Sequence, residues 1–305
     1  MRAISRRRFL QQTSGTAALA LLSSRSVAEL AIGKGTLSTV SDGHLVLPKS
    51  FAIGSAPEQE ANKILNAHGI NGETIEPSCN ISVYRDGKNT ILFDVGAGPD
   101  FMPTAGNIID SLASINVAPE DVTHVLITHA HPDHIWGLLD DFDDPVFANA
   151  VHMMGRREWD YWWDPETFNT IGQQRKIFAA GARRRLEMME DIFERFNDGE
   201  EVVSGVSAIA TEGHTPGHMS FEVRSGTQAS LIIGDAIVNH HLAFERPEWP
   251  SGSDQEPQKG LETRRELFDR IITDKLSVVG FHFPGTGIGV VDQTANGYRF
   301  LGEQA

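Results

Sequence analysis

The chain is poor in cysteine, in basic residues and in long apolar runs. Of its 305 residues one is cysteine, Cys79. That excludes an internal disulfide and any cysteine-rich zinc module. Lys and Arg number 26 against 41 Asp and Glu, a formal net charge of −15. An acidic surface repels phosphate backbones, so a general nucleic-acid binder is disfavoured. After residue 28 no apolar run reaches the roughly 20 residues that span a bilayer, so no stable membrane anchor is expected. No Gly-x-Ser-x-Gly elbow is present, and Cys79 lies outside every motif, so nothing points to a protein nucleophile. What remains is ordinary globular composition, 40% hydrophobic and 22% charged, with twelve histidines.

The N-terminus is basic and then apolar. Ser5-Arg6-Arg7-Arg8-Phe9-Leu10 precedes a small-residue apolar stretch from Thr13 to Leu22, and Ser26-Val27-Ala28 follows. This is the order of a signal peptide. It resembles a twin-arginine export signal, whose recognised core is Ser-Arg-Arg-x-Phe-Leu. Residues 1–28 are therefore expected to be a removable leader, and residues 29–305 a single domain delivered by the twin-arginine machinery to the periplasm or beyond. The leader holds five arginines and no acidic residue; 21 basic against 41 acidic residues then leave the mature part at −20.

The rest of the chain alternates strand and helix signals. Ile81–Tyr84 and Thr90–Val95 flank Asp86-Gly87-Lys88-Asn89, which reads as a hairpin. Ile108–Ile115 reads as a helix and Val122–Thr128 as a buried strand. The segment Trp159–Phe196 is predicted mostly helical, with Leu186, Met189, Phe193 and Phe196 recurring at offsets of three and four. Arg183-Arg184-Arg185 on it reads as a solvated face. Val206–Ala210, Ser220–Val223, Ser230–Ile233, Ser277–Gly280 and Tyr298–Leu301 read as strands, and Thr263–Ile272 as a helix. The chain is a mixed α/β fold.

The strand Val122–Thr128 runs straight into His129-Ala130-His131-Pro132-Asp133-His134. Four metal-ligating side chains fall within six positions. A turn at a strand end lets such side chains converge while the sheet holds the backbone beneath them. Imidazole and carboxylate without thiolate suit zinc, iron or manganese. Three later strand ends offer more ligands: Gly213-His214-Thr215-Pro216-Gly217-His218, Gly234-Asp235, and Phe281-His282-Phe283-Pro284-Gly285. The intervals are 80 positions from His134 to His214, 21 to Asp235 and 47 to His282.

With these motifs, and with Phe93-Asp94-Val95-Gly96, the sequence resembles the metallo-β-lactamase superfamily over about residues 43–303. The resemblance implies an αββα sandwich with a dinuclear site at one edge. It implies that His129, His131 and His214 bind one cation, that Asp133, His134 and His282 bind the second, and that Asp235 bridges the two. Zinc ranks first, with iron or manganese as alternatives. Asp133 and Asp235 would be catalytic. Asp94 and Thr215 would brace ligands, or Asp94 would support its own loop. His218 reads as a turn residue. His44, His68, His124 and His152 read as ordinary histidines, and Cys79 as a small buried residue.

Two such cations can hold a bridging hydroxide at neutral pH and stabilise an oxyanion. The resemblance therefore implies a hydrolase. His131 stands where the flavodiiron members of the superfamily carry Glu, and no flavin domain follows, so oxygen reduction is disfavoured. Order and spacing look like the branch of N-acyl-homoserine lactonases and methyl parathion hydrolase-like enzymes. The expected substrate is a lactone or a carboxylic or aryl ester, with phosphotriesters as a side activity; the alternative is a β-lactamase or thioester hydrolase. The Tyr that lactonases carry shortly after the bridging Asp is absent from Asp235-Ala236-Ile237-Val238-Asn239-His240. His240 could take over such work, but it reads as an exposed loop histidine. Aromatic walls are expected from Trp162, Trp163 and Phe244. A homodimer is left open.

Overall fold

The structure is a computed structural model that describes residues 29–302. The export signal expected in residues 1–28 lies outside the described residues. Among the described residues, sixteen strands form two large sheets and one small one. The first large sheet comprises β1 (Glu29–Ile32), β2 (Gly35–His44), β5 (Ser78–Arg85), β6 (Thr90–Phe93), β7 (His124–Ile127), β8 (Val151–Gly155) and β9 (Phe193–Phe196), in that order. The short β3 (Leu47–Pro48) and β4 (Thr74–Ile75) pair with each other. The second large sheet comprises β10 (Glu201–Val203), β11 (Val206–Ala210), β12 (Met219–Ser225), β13 (Gln228–Gly234), β14 (Ser277–Gly280), β15 (Ile288–Gln293) and β16 (Tyr298–Gly302), again in that order.

Strand alternation builds the layers. In β7, Leu126 faces the second sheet while Val125 and Ile127 face outward. In β13, Ile232 faces the first sheet while Leu231 and Ile233 face outward. The inner faces meet in one apolar layer, where Phe221 lies 5.3 Å from Phe93 and 5.8 Å from Phe196, centroid to centroid. Burying each such side chain contributes about 1.5–3 kcal/mol. The outer face of the first sheet packs on Ile108 and Leu112 of the helix Ile108–Ser114 and on Ala179, Ala182 and Leu186 of the helix Lys176–Met188. The outer face of the second packs on Leu267, Phe268 and Ile271 of the helix Pro257–Asp274. This is the expected αββα order of layers.

Two readings of the segment after Trp159 are corrected. It is not mostly helical to Phe196 but comprises the helices Arg156–Trp163, Pro165–Thr170 and Lys176–Met188, and then β9. Asp164 ends the first helix and caps the second, accepting from Glu166 N at 2.9 Å, and Pro165 cannot continue a helix. Phe193 and Phe196 sit on opposite faces of β9, both buried because both faces of the sheet are covered. On a strand, an offset of three means opposite faces, and it imitated a helical stripe. The pairing partner is β8, some forty residues earlier, with His152 opposite Phe193. Arg185 is not on a solvated face either. It is buried, lies over the Trp136 ring at 4.6 Å and donates to Trp136 O at 3.1 Å.

Candidate metal centre

The clustered residues all sit at one end of the sandwich. His129, His131, Asp133 and His134 follow the C-terminal end of β7. His131 keeps extended backbone (φ −70, ψ 158) as N-cap of the one-turn helix Pro132–Ile135. His214 lies in the turn between β11 and β12, Asp235 directly after β13, and His282 shortly after β14. Parallel pairing of β13 with β14 brings Gly234 beside Gly280, and so brings Asp235 and His282 to the same edge. Gly234 takes φ 50, and a side chain there would meet His218 Nε2 at 2.7 Å. Only glycine fits that bend without strain.

The seven side chains converge. His129 Nε2 is 3.0 Å from His131 Nδ1, which is 2.9 Å from His214 Nε2. Around a second point, His282 Nε2 lies 3.2 Å from Asp133 Oδ2, and His134 Nε2 lies 3.5 Å from the same oxygen. Asp235 stands between the two groups. Its Oδ2 is 3.3 Å from both His214 Nε2 and His282 Nε2, and its Oδ1 is 3.5 Å from His134 Nε2. All seven residues are buried.

The outward atoms of the imidazoles are held by the protein. His134 Nδ1 donates to Asp94 Oδ2 at 2.8 Å. Thr128 Oγ1 donates to that same oxygen at 2.8 Å and stands 3.0 Å from His129 Nδ1, so it accepts from the ring. His282 Nδ1 donates to Ser78 O at 2.7 Å. His214 Nδ1 faces Asp254 Oδ1 at 3.5 Å, and the Gln255 amide is 3.1 Å from His131 Nε2. Asp94 thereby anchors two rings, as well as Thr128 N at 2.8 Å, from a left-handed backbone at φ 68. Asp tolerates that conformation better than most residues. Of the two roles open to it in the sequence, the ligand-bracing one matches these bonds.

His218 is a bracing residue rather than a plain turn residue. Asp235 N can only donate, so His218 Nε2 accepts it, at 3.0 Å. The ring proton is then on Nδ1, facing Thr211 Oγ1 at 2.8 Å. Burial holds His218 well below the ordinary imidazole pKa, with His214 acting the same way.

Glu158 was invisible in the sequence. On the helix Arg156–Trp163 it is fully buried, and it accepts from Ala130 N at 2.9 Å, Trp162 Nε1 at 2.6 Å, Thr215 Oγ1 at 2.7 Å and Gly217 N at 3.1 Å. It ties the loop of His129 to the loop of His214. Thr215 therefore braces the centre through Glu158. Burial pushes the Glu158 carboxyl up against the pull of those donors. No local pattern marks a single glutamate on an amphipathic helix as a clamp.

The arrangement fits a pair of cations. Asp133 Oδ2, His134 Nε2 and Asp235 Oδ1 are buried, point inward and have no hydrogen-bond partner. Native proteins rarely leave such atoms unsatisfied. Burial holds His129 and His131 well below the usual imidazole range, and neighbouring imidazoles add to it. Both are therefore neutral, with a lone pair to give. Burial also opposes charge on His134 and His282, but Asp133, Asp94 and Asp235 around the first, and Asp235 and Asp133 beside the second, outweigh it and raise both. The centre draws positive charge to itself. Cys79 is closer than expected: its thiol lies with Asp133 and His282 ligand atoms within 4.8 Å of one another, and burial pushes it up to about 11.

Residues 75–281 match the family described as the metallo-beta-lactamase superfamily. The chain belongs to that superfamily. The N-acyl homoserine lactonase AttM of Agrobacterium fabrum is 29% identical over 128 residues, 41% of this chain and 44% of that protein. The AttM of Azorhizobium caulinodans is 28% identical over a stretch of the same length. The match thus spans less than half the length of these curated relatives. The solved structure of AbOPH, described as a hydrolase in the beta lactamase superfamily, is 26% identical with a TM-score of 0.84, covering 92% of this chain and 98% of that one. AidC, described as a dizinc quorum-quenching lactonase, is 21% identical with a TM-score of 0.85 over the same shares, and so shares the metallo-β-lactamase fold.

A cavity of about 660 Å³ opens over the centre. His131, Asp133, His214, Asp235 and His282 form its floor, and its walls include Leu47, Phe51, Ile70, Phe101, Arg175 and Phe178. The aromatic residues expected there are elsewhere. Phe244 is buried under the second sheet against Phe268 and Phe283. Trp163 stacks on Trp159 at 5.3 Å beneath Arg183. Trp162 touches the centre from behind, 5.8 Å from the His131 ring, with its N–H spent on Glu158. Each was drawn into core packing because the helices and strands carrying them turn that face inward. His240 is half-buried on the cavity wall rather than exposed, and His68 and His241 line it too. Burial lowers His240 to about 4 and His241 to about 3, so both are neutral. His152 is a core histidine, as expected.

Proposed function

We propose that this protein is a dinuclear metal-dependent hydrolase of lactones or of carboxylic and aryl esters. The observation that carries the reading is Asp235, set between two groups of inward-facing donors, with the outward ring atoms of His129, His131, His134 and His282 already hydrogen-bonded. His129, His131 and His214 would hold one cation; Asp133, His134 and His282 the other; and Asp235 both. Zinc suits this set, as do iron and manganese. When bound, such a pair supplies activation of water at neutral pH and polarisation of the scissile carbonyl.

The protein's own contributions follow from the geometry. The outward bonds of His134 to Asp94, His129 to Thr128, His282 to Ser78 and His131 to Gln255 fix four of the rings before substrate arrives, so little reorganisation is needed. The floor of the cavity exposes Asp133 and Asp235 but keeps His129 and His134 behind them. Asp133 is held well below the usual carboxylate range, since His134 and His282 outweigh the effect of burial. It is therefore ionised, as a carboxylate ligand to a cation must be. Apolar walls receive the acyl or aryl part of the substrate.

The lactonase names of the AttM relatives support the lactone arm. A panel of a p-nitrophenyl ester, lactones, a cephalosporin and methyl paraoxon, run on metal-loaded protein beside elemental analysis, tests the reading. The expected result is EDTA-sensitive turnover of esters or lactones with two cations per chain, both lost in Asp235→Ala. Turnover of the cephalosporin alone would replace it with a β-lactamase. We also propose export through the twin-arginine route. Cell fractionation should find the wild type in the periplasm and a variant with Arg6→Lys and Arg7→Lys retained in the cytoplasm.

A further inference from the structure

We infer that Asp254, backed by Arg264, is the carboxylate that positions the ring of His214, and that the two together set how tightly the cation of His129, His131 and His214 is held. This rests on the dinuclear reading above and gives a role to residues outside the seven candidate ligands. Four of the five candidate imidazoles have a hydrogen bond on the ring atom facing away from the centre. His214 is the exception. Its Nδ1 is buried and has no hydrogen-bond partner among the described residues. Asp254 Oδ1 faces it at 3.5 Å.

The approach of Asp254 is built into the fold. Its segment runs against the His214 turn: Gln255 N donates to His214 O at 3.1 Å, and Glu256 N donates to Gly213 O at 2.9 Å. The helix Pro257–Asp274 follows at once, and Thr263 on it donates to Glu212 O at 2.6 Å. Arg175 donates to Ser253 O at 2.7 Å and holds the segment from its own turn. Two glycines let these pieces touch. A side chain at Gly213 would strike the backbone of Gly260, and one at Gly260 would strike the Asp254 carboxylate.

Asp254 and Arg264 are both buried. Arg264 Nη2 donates to Trp249 O at 3.1 Å and lies 3.9 Å from Asp254 Oδ2. Arg264 Nε and Asp254 Oδ2 are buried without a hydrogen-bond partner, as is His214 Nδ1. Three successive side chains thus each keep one unsatisfied polar atom, and native folds rarely leave even one. The inward atom of His214 is Nε2, 2.9 Å from His131 Nδ1 and 3.3 Å from Asp235 Oδ2. A neutral imidazole that gives this nitrogen to a cation carries its proton on Nδ1, and a carboxylate there fixes the ring and strengthens it as a ligand. Closing the gap to Asp254 by roughly 0.5 Å makes an ordinary hydrogen bond. Arg264 supplies the opposite charge that a buried carboxylate needs.

Two measurements test the assignment: zinc affinity by competition against a chelator, and the histidine ring signals of isotope-labelled, zinc-loaded protein by NMR. In the wild type the Nδ1 proton of His214 should resist exchange and lie as far downfield as that of His134, whose ring already donates to Asp94 at 2.8 Å. Asp254→Asn should lose that signature and weaken the cation of His129, His131 and His214 by about 10- to 100-fold, with the other cation near wild type. Arg264→Gln should weaken the same cation less. The double variant should be no weaker than Asp254→Asn alone, because Arg264 acts through Asp254. If Asp254→Asn does not fold, Gly260→Ala takes its place: it keeps both charges, crowds the carboxylate and should weaken the same cation. A plain structural ion pair would instead lower the melting temperature of metal-free protein and leave both zinc affinities as in the wild type, which would overturn the assignment. So would a freely exchanging Nδ1 proton on His214 in the zinc-loaded wild type. A wild type that binds no cation would sink the dinuclear reading and this assignment with it. Two cations held equally tightly by wild type and Asp254→Asn would sink this assignment alone.

Discussion

Replacing Glu158 by alanine should loosen the centre without touching any candidate ligand. The carboxylate accepts four hydrogen bonds, two from backbone N–H groups and two from side chains, and all are buried. Each buried donor left without a partner costs about 1–3 kcal/mol. Water entering the vacated space would recover part of that, and the four losses are coupled, so a total of roughly 3–6 kcal/mol is expected. For a domain of this size that corresponds to a fall in melting temperature on the order of 10 °C. Glu158→Gln keeps the volume but turns an NH₂ toward two donors, so it should fall in the same direction by less. The functional signature is selective. Ala130 lies between His129 and His131, and Gly217 follows the His214 turn, so the variant should lose the cation of His129, His131 and His214 first. Thermal melting and metal content of wild type, Glu158→Ala and Glu158→Gln would decide. If both variants melt within about 2 °C of the wild type, inside the effect of a single lost kilocalorie, and keep two cations, the clamp assignment is wrong.

Three further outcomes follow from the same geometry. Asp94→Asn should weaken the cation at His134 by about 10- to 100-fold, since the ring loses the carboxylate that fixes its tautomer; competition against a chelator measures it, and unchanged affinity would refute the bracing role. Metal-free protein should be most stable near the ordinary imidazole pKa of about 6.5. His134 and His282 are raised on folding, so their contribution is present below that pH and is lost as pH rises through their folded values. His129, His131 and His218 are lowered, so folding loses stability as pH falls below it; melting of EDTA-treated protein across that range checks both limbs, and stability that climbs steadily on the alkaline side would contradict the account. Phe244→Ala should cost about 3–5 kcal/mol of stability, while KM for esters stays near wild type, because the ring packs under the second sheet and not on the cavity wall.

The residues by themselves marked the side chains of the candidate centre and the mixed α/β character of the chain, and the family resemblance they carry implied the layer order. His129, His131, Asp133 and His134 are neighbours in sequence, so a short-range pattern after an apolar strand was enough to single them out. Gly213–His218, Gly234-Asp235 and His282 were marked by sitting where strand signals stop. Local chemistry of this kind survives in one dimension. The tertiary structure decided everything that depends on which distant segments meet. Glu158 became a clamp because one helix crosses two loops that lie 28 and 57 or more positions away from it. Cys79 came to rest beside His282 because Asn80 N bonds Phe281 O at 2.9 Å. Phe193 and Phe196 became strand residues because β8 offered a parallel partner, and Trp162, Trp163 and Phe244 went into the core while Phe101, Phe178 and Arg175 reached the cavity. An apolar side chain carries the same drive to leave water in either place. Only the packing of whole elements against one another settles which surface it covers.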